Sequence, residues 1–97
     1  MKTQETPIAV LQPNDLSHIF KNIHHKECNV PGYNLAFNVT ENGRFAAELF
    51  YSKEFKEWFL IKDNYPAPRK AYRCSFPINS KALLIELFKS VNMNLQE

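Results

Sequence analysis

The fold is decided by residues 33–61, which read YNLAFNVTENGRFAAELFYSKEFKEWFLI. Successive side chains of a β-strand point to opposite faces, so alternation of apolar residues predicts a strand with one buried face. Two such runs flank Asn42-Gly43, a dipeptide that is typical of hairpin turns. The stretch therefore predicts two consecutive antiparallel hairpins that share their middle strand.

The register of the first hairpin follows if both apolar series lie on one face of the sheet. The series are Tyr33, Leu35, Phe37 and Val39 before the turn, and Phe45, Ala47, Leu49 and Tyr51 after it. A two-residue Asn42-Gly43 loop would place the two series on opposite faces, whereas a three-residue loop over 41–43 pairs Val39 with Phe45. We therefore predict a type I turn with Gly43 in the left-handed conformation of a bulge.

The second turn spans residues 53–56, and its even length places Trp58 and Leu60 opposite Tyr51 and Leu49. This arrangement leaves three apolar residues on the other face of the sheet as a candidate interface, namely Phe50, Phe59 and Ile61. An apolar patch of this kind needs a cover, either a helix, a second subunit or a ligand.

Two amphipathic helices are predicted, one before and one after the sheet. Residues 15–26 form the first, because their apolar side chains recur with helical spacing at Leu16, Ile19, Phe20 and Ile23. This helix is the predicted cover for the second face of the sheet. Residues 80–91 form the second helix, capped by Asn79 or Ser80, and its apolar stripe consists of Leu84, Leu87, Phe88 and Val91.

A loop with two prolines over residues 62–69 separates the hairpins from a fourth strand that begins at Tyr72 and has Arg73 on its polar face. The sheet then extends over residues 33–78. The fold class is α+β: a four-stranded, mainly antiparallel sheet with an N-terminal and a C-terminal amphipathic helix. Residues 8–11 could add a short edge strand, and residues 1–6 are expected to be flexible.

Length and composition limit the classes of protein to which this chain can belong. Ninety-seven residues make one domain, and a formal net charge of +2 is too small for a strong overall attraction to polyanions. The longest apolar runs, residues 8–11 and 82–85, are far shorter than the roughly 20 residues of a membrane span. Two cysteines without a signal-like N-terminus favour a reduced, cytoplasmic protein that is not attached to a membrane.

No catalytic, metal or cofactor site is predicted. His24 and Cys28 would lie one turn apart on the first helix, and Cys74 could approach them, but zinc usually takes four ligands, commonly from paired knuckles. The two glycines, Gly32 and Gly43, are both needed by turns, which leaves no phosphate-binding glycine loop. The carboxylates between Glu41 and Asp63 alternate with basic residues and predict a salt-bridged exposed surface. We therefore expect a protein that is not an enzyme.

Basic and aromatic residues concentrate in one third of the chain, which is typical of single-strand binders, where cations follow the phosphates and aromatic rings stack on bases. The candidate binding residues are Lys53, Phe55, Lys56, Lys62, Tyr65, Arg69, Lys70 and Arg73. The alternative stays open that Trp58, Phe59 and Tyr72 belong to the core and that the lysines are ordinary turn residues.

Four strands followed by a helix, with Pro68-Arg69-Lys70 leading into Ser75-Phe76 and a leucine-rich helix, resemble in order the PC4-like single-stranded DNA-binding modules. The resemblance covers residues 33–91, with Ala71 where those modules have a glycine after the basic pair. It implies binding of single-stranded DNA.

Two functional hypotheses follow. The first is a non-enzymatic module that binds single-stranded nucleic acid. The second is an inhibitor, immunity-type or accessory protein that blocks a larger target protein, because surplus aromatic residues are typical interface anchors. A homodimer through Phe50, Phe59 and Ile61 is expected if no helix covers them.

Overall fold

The structure is a computed structural model that describes residues 15–75 and 81–97. The strands are β1 (Ile23–Lys26), β2 (Leu35–Glu41), β3 (Arg44–Ser52), β4 (Glu57–Lys62) and β5 (Lys70–Ser75), and the helices are α1 (Asp15–Ile19) and α2 (Lys81–Ser90). The strands form one antiparallel sheet in chain order. The predicted α+β class and antiparallel sheet are confirmed, but the sheet has five strands rather than four.

The additional strand, β1, replaces the second half of the helix that was predicted over residues 15–26. The helix ends at Ile19, and Ile23 begins a strand in which it pairs with Val39 of β2. Ile23 is fully buried, and a buried position seven residues after Leu16 fits both a continuous helix and a helix followed by a strand. The apolar spacing therefore predicted the burial correctly and the element wrongly.

The first hairpin has a two-residue turn, not the predicted three-residue loop. Glu41 pairs with Arg44, and the residues between them, Asn42 and Gly43, have φ values of 54° and 76°. Positive φ at both central residues is the requirement of a type I′ turn, which matches the twist of the flanking strands. Gly43 is left-handed as predicted, but the turn type was wrong.

The two-residue turn alone would place the apolar series of β2 and β3 on opposite faces of the sheet. A bulge in β3 corrects this. Thr40 pairs with Phe45, but Val39 pairs with Ala47, so Ala46 is the extra residue. The bulge returns the apolar series of β3 to the same face as that of β2. The predicted pairing of Val39 with Phe45 was therefore wrong, and Phe45, which lies before the bulge, is 46% exposed.

The second hairpin has the predicted register. Tyr51 pairs with Trp58 and Leu49 pairs with Leu60, across a turn of four residues. The last strand begins at Lys70, two residues before the predicted start. The predicted elements at residues 1–6 and 8–11, the end of the last strand and the helix cap lie outside the described residues.

Both helices pack on one face of the sheet, which we call the helix face. Its buried strand residues are Ile23, Leu35, Phe37, Val39, Ala47, Leu49, Tyr51, Trp58 and Leu60. Leu16 of α1, Phe20 directly after it, and Leu84 and Phe88 of α2 belong to the same buried cluster. The first helix therefore does not cover Phe50, Phe59 and Ile61 as predicted, because the chain leads directly from this helix into Ile23, which points to the helix face.

The C-terminal segment is fastened to the start of β1 by the side chain of Asn22, which is 4% exposed. Its Nδ2 donates to the carbonyls of Thr40 and Asn94 at 3.0 and 2.9 Å, and its Oδ1 accepts from the amide of Gln96 at 2.9 Å. Met93 is buried beside this junction. One satisfied buried amide thus joins β1, the bulge region and the C-terminal segment.

No helix within residues 15–75 and 81–97 combines the length and hydrophobicity that spanning a membrane requires.

Candidate functional site

The other side of the sheet, which we call the open face, carries no helix from the described part of the chain. It is lined by His24, Lys26, Ala36, Asn38, Glu48, Phe50, Glu57, Phe59, Ile61, Ala71 and Arg73. These residues alternate with those of the helix face along each strand, as the pleat of a sheet requires.

A single row of cross-strand neighbours crosses the centre of the open face. In sheet order this central row is Lys26, Ala36, Phe50, Phe59 and Arg73. It spans four interstrand spacings, roughly 19 Å. The sheet therefore places two phenylalanine rings side by side and one cation on each edge strand.

Each cation of the central row lies over one of its rings. The Nζ atom of Lys26 is 5.8 Å from the ring centroid of Phe50, and Cζ of Arg73 is 5.0 Å from that of Phe59. Such cation–π contacts are worth about 0.5–1 kcal/mol at exposed sites. Phe50 is only 4% exposed, whereas Phe59 is partly exposed, so the ring of Phe59 is the more accessible.

Tyr33 adds a third ring to this cluster. It stacks on Phe59 with 5.8 Å between the ring centroids and 28° between the planes, and its ring centroid lies 6.0 Å from that of Phe50. Its hydroxyl donates to Oε1 of Glu57 at 3.1 Å. Partial burial and this hydrogen bond raise the pKa of Tyr33, against the opposing charge of Arg73, so the hydroxyl remains a donor at neutral pH.

The prediction that Tyr33 lies on the same face as Leu35 was wrong. Tyr33 precedes the first residue of β2, so the alternation of a strand does not fix its direction.

The carboxylate of Glu48 bridges two cations on the open face. Its Oε2 accepts from Nζ of Lys26, and its Oε1 accepts from Nη2 of Arg69 at 2.7 Å. The hydrogen bond from Lys26 holds the pKa of Glu48 below its ordinary value and Arg69 lowers it further, while partial burial opposes both. We call these three residues the Glu48 triad, and its net charge is +1.

The structure brings two of the eight predicted binding residues, Arg69 and Arg73, to the open face. The other six lie near the ends of the sheet: Lys53, Phe55 and Lys56 in the turn before β4, and Lys62, Tyr65 and Lys70 at or beyond its far end. Six residues of strand separate these two groups by roughly 20 Å. The eight residues therefore do not form one continuous surface.

Two of the predicted lysines have partners on the helix face. The Nζ atom of Lys62 donates to the carbonyl of Val91 at 2.6 Å, just after the end of α2. The Nζ atom of Lys70 lies 5.7 Å from the ring centroid of Tyr72, and Tyr72 packs against the core.

The three candidate interface residues, Phe50, Phe59 and Ile61, all lie on the open face. Within one subunit, Tyr33, Phe59 and Lys26 already pack against the ring of Phe50. Self-association through this face stays a prediction.

Sequence reasoning missed the roles of Lys26, Tyr33, Glu48 and Glu57. The alternation of His24 and Lys26 was hidden because both residues were assigned to the first helix. Glu48 was expected to pair with basic residues near it in the chain, but it pairs with Lys26 and Arg69, both of which are about twenty residues away.

The residues considered for a metal site are spread over the molecule rather than placed one helical turn apart. His24 lies on β1, with its Nε2 3.3 Å from Oγ1 of Thr40, and the Cys28 thiol donates to the carbonyl of Tyr33 at 3.3 Å. Cys74 lies on the opposite edge strand, and both cysteines are free. In residues 15–75 and 81–97 no three histidine, cysteine or acidic side chains are grouped so as to hold a metal ion.

Comparison of the chain with protein families, curated proteins and solved structures gives no match. The resemblance to the PC4-like modules stays a prediction based on the order of the elements.

Proposed function

We propose that the protein is a small non-enzymatic module that binds single-stranded nucleic acid on the open face of its sheet. The observation that carries this proposal is the central row, in which aromatic rings lie between two cations. Proteins that bind single strands combine cations along the backbone with aromatic rings on which bases stack. Each stacked base contributes about 1–3 kcal/mol.

The residues of the open face take different parts in this binding. Tyr33 and Phe59 are partly exposed and offer ring surface to bases, while Phe50 is buried and supports them. Arg73 forms no ion pair with a carboxylate of the described residues, so its charge is available to a phosphate. Stacking is tolerant of base identity, so we expect weak sequence preference.

The experiment is fluorescence anisotropy of a labelled oligothymidine over a series of salt concentrations. Neutralisation of each phosphate releases counterions, so log K should fall with log salt by about 0.7 per contact on a single strand. Three cations, Lys26, Arg69 and Arg73, then give a slope near −2. Absence of binding at low salt would end this proposal.

A second candidate, a protein that blocks a larger protein target, is favoured by a different observation. Among the described residues, the most exposed aromatic side chains are Tyr65 at 87% and Phe55 at 66%, and both lie in loops outside the open face. Exposed tyrosine and phenylalanine are common anchors of protein interfaces. The test is an affinity pull-down with nuclease treatment. Recovery of a protein partner that Tyr65→Ala and Phe55→Ala abolish, and that Arg73→Met leaves unchanged, would support this candidate over the first.

A further inference from the structure

We propose that Lys26 and Arg69 form a phosphate-binding site that the chain's own Glu48 occupies when no ligand is bound. This inference rests on the proposed function, because the phosphate is taken to belong to the backbone of a single strand. In this proposal, the carboxylate of Glu48 competes with that phosphate for Lys26 and Arg69.

The geometry of the Glu48 triad supports this exchange. The two oxygens of the carboxylate serve two different cations, one on β1 and one in the loop before β5. A phosphodiester also presents two anionic oxygens and forms charge-assisted hydrogen bonds with the same groups. It can therefore replace the carboxylate between Lys26 and Arg69 without a new arrangement of the sheet.

The exposure of the three side chains allows a ligand to enter. The side chains of Lys26 and Arg69 are 29% and 47% exposed, and that of Glu48 is 23% exposed. All three end on flexible stems, so the carboxylate can turn away while the cations remain.

The position of the triad fits a strand whose bases lie on the rings. Glu48 precedes Phe50 by two residues on β3, so it lies on the same face and next to the central row. Lys26 belongs to both the triad and the central row. A phosphate held by the triad would thus lie beside the aromatic cluster.

The first test compares Glu48→Gln with Glu86→Gln, two substitutions that raise the net charge equally. Glu86 is exposed on α2, away from the open face. Removal of the competing carboxylate should tighten binding of oligothymidine about tenfold at low salt, with a salt slope close to that of the wild type because the same three cations contact phosphates. Glu86→Gln should stay close to the wild type, and equal behaviour of the two variants would overturn the inference.

The second test needs no nucleic acid. A ligand that binds only the folded state raises its melting temperature, so inorganic phosphate should stabilise Glu48→Gln more than the wild type. Adding Lys26→Met to this variant should abolish the effect.

Together the two tests separate the inference from the proposed function. Phosphate-dependent stabilisation of Glu48→Gln without oligothymidine binding by any variant would support the anion site and refute the proposed function. Oligothymidine binding by the wild type, with neither effect in Glu48→Gln, would refute the anion site alone.

Discussion

The guanidinium of Arg73 lies over the ring of Phe59, with 5.0 Å between Cζ and the ring centroid. The two residues are cross-strand partners on β5 and β4, so the sheet itself sets their relation. A charge suited to a phosphate and a ring suited to a base are thereby held within one residue pair at the edge of the open face.

Arg73→Met should weaken binding of oligothymidine about tenfold and make the salt slope shallower by about 0.7, because one phosphate contact is lost. Methionine keeps an apolar stem over Phe59, so the free energy of unfolding should change by less than about 1 kcal/mol. Lys89→Met removes the same charge from an exposed position on α2 and should bind as the wild type does. Equal losses in the two variants, measured by anisotropy, would contradict a local role for Arg73.

Tyr33→Ala should weaken the same binding by about 1–3 kcal/mol, because a stacking surface is removed. Tyr33→Phe keeps the ring and loses only the hydrogen bond to Glu57, so it should bind nearly as tightly as the wild type. Anisotropy of the two variants decides between stacking and the hydroxyl: a loss in Tyr33→Phe as large as that in Tyr33→Ala would show that the hydroxyl matters and stacking does not.

Asn22→Ala should lower the free energy of unfolding by about 2–4 kcal/mol, because two buried carbonyls and one amide lose their partner. Asn29→Ala, at an exposed position without such bonds, should change it by less than about 0.5 kcal/mol. Urea denaturation measures both variants. Similar unfolding midpoints for Asn22→Ala and the wild type would show that this amide does not fasten the C-terminal segment.

Acid should remove the stabilisation that the Glu48 triad provides. Lys26 and Arg69 lower the pKa of Glu48 in the folded state below its ordinary value of 4.5. The contribution is therefore complete above the pKa of the unfolded chain and is lost as pH falls through the folded pKa.

The measurement is the urea midpoint of the wild type and of Glu48→Gln as a function of pH. The wild type should be the more stable near neutrality, and the difference should shrink as pH falls below about 5 and through the lowered pKa of Glu48, where protonated glutamate resembles glutamine. A difference that stays constant over this interval would contradict the ion triad.

Local patterns in the sequence were enough to predict much of the sheet. Alternation predicted the second hairpin, including the pairing of Tyr51 with Trp58, because a fixed period of two and an even loop determine the register. The first hairpin shows the same alternation, but its two apolar series are brought to one face by a bulge at Ala46 rather than by the length of the turn. A bulge at an alanine leaves no signal in apolar spacing.

The candidate site was less predictable, because its contacts join distant parts of the chain. Phe50 and Phe59 could be placed on the open face from alternation alone. Glu48 can pair with Lys26 as well as Arg69 only because β1 is a strand. The sequence did not reveal this strand, because Ile23 fits the apolar spacing of a helix as well as that of a strand. Once His24 and Lys26 were assigned to a helix, their side of the sheet could not be determined.

The central claim is that the open face is the nucleic-acid-binding surface, and an NMR titration of backbone amides with oligothymidine tests it most directly. We predict that the shifts concentrate at Lys26, Tyr33, Phe59 and Arg73 and that the amides of α2 remain unchanged. Shifts confined to α2 or to the loops around Phe55 and Tyr65, or no shifts at low salt, would contradict the claim.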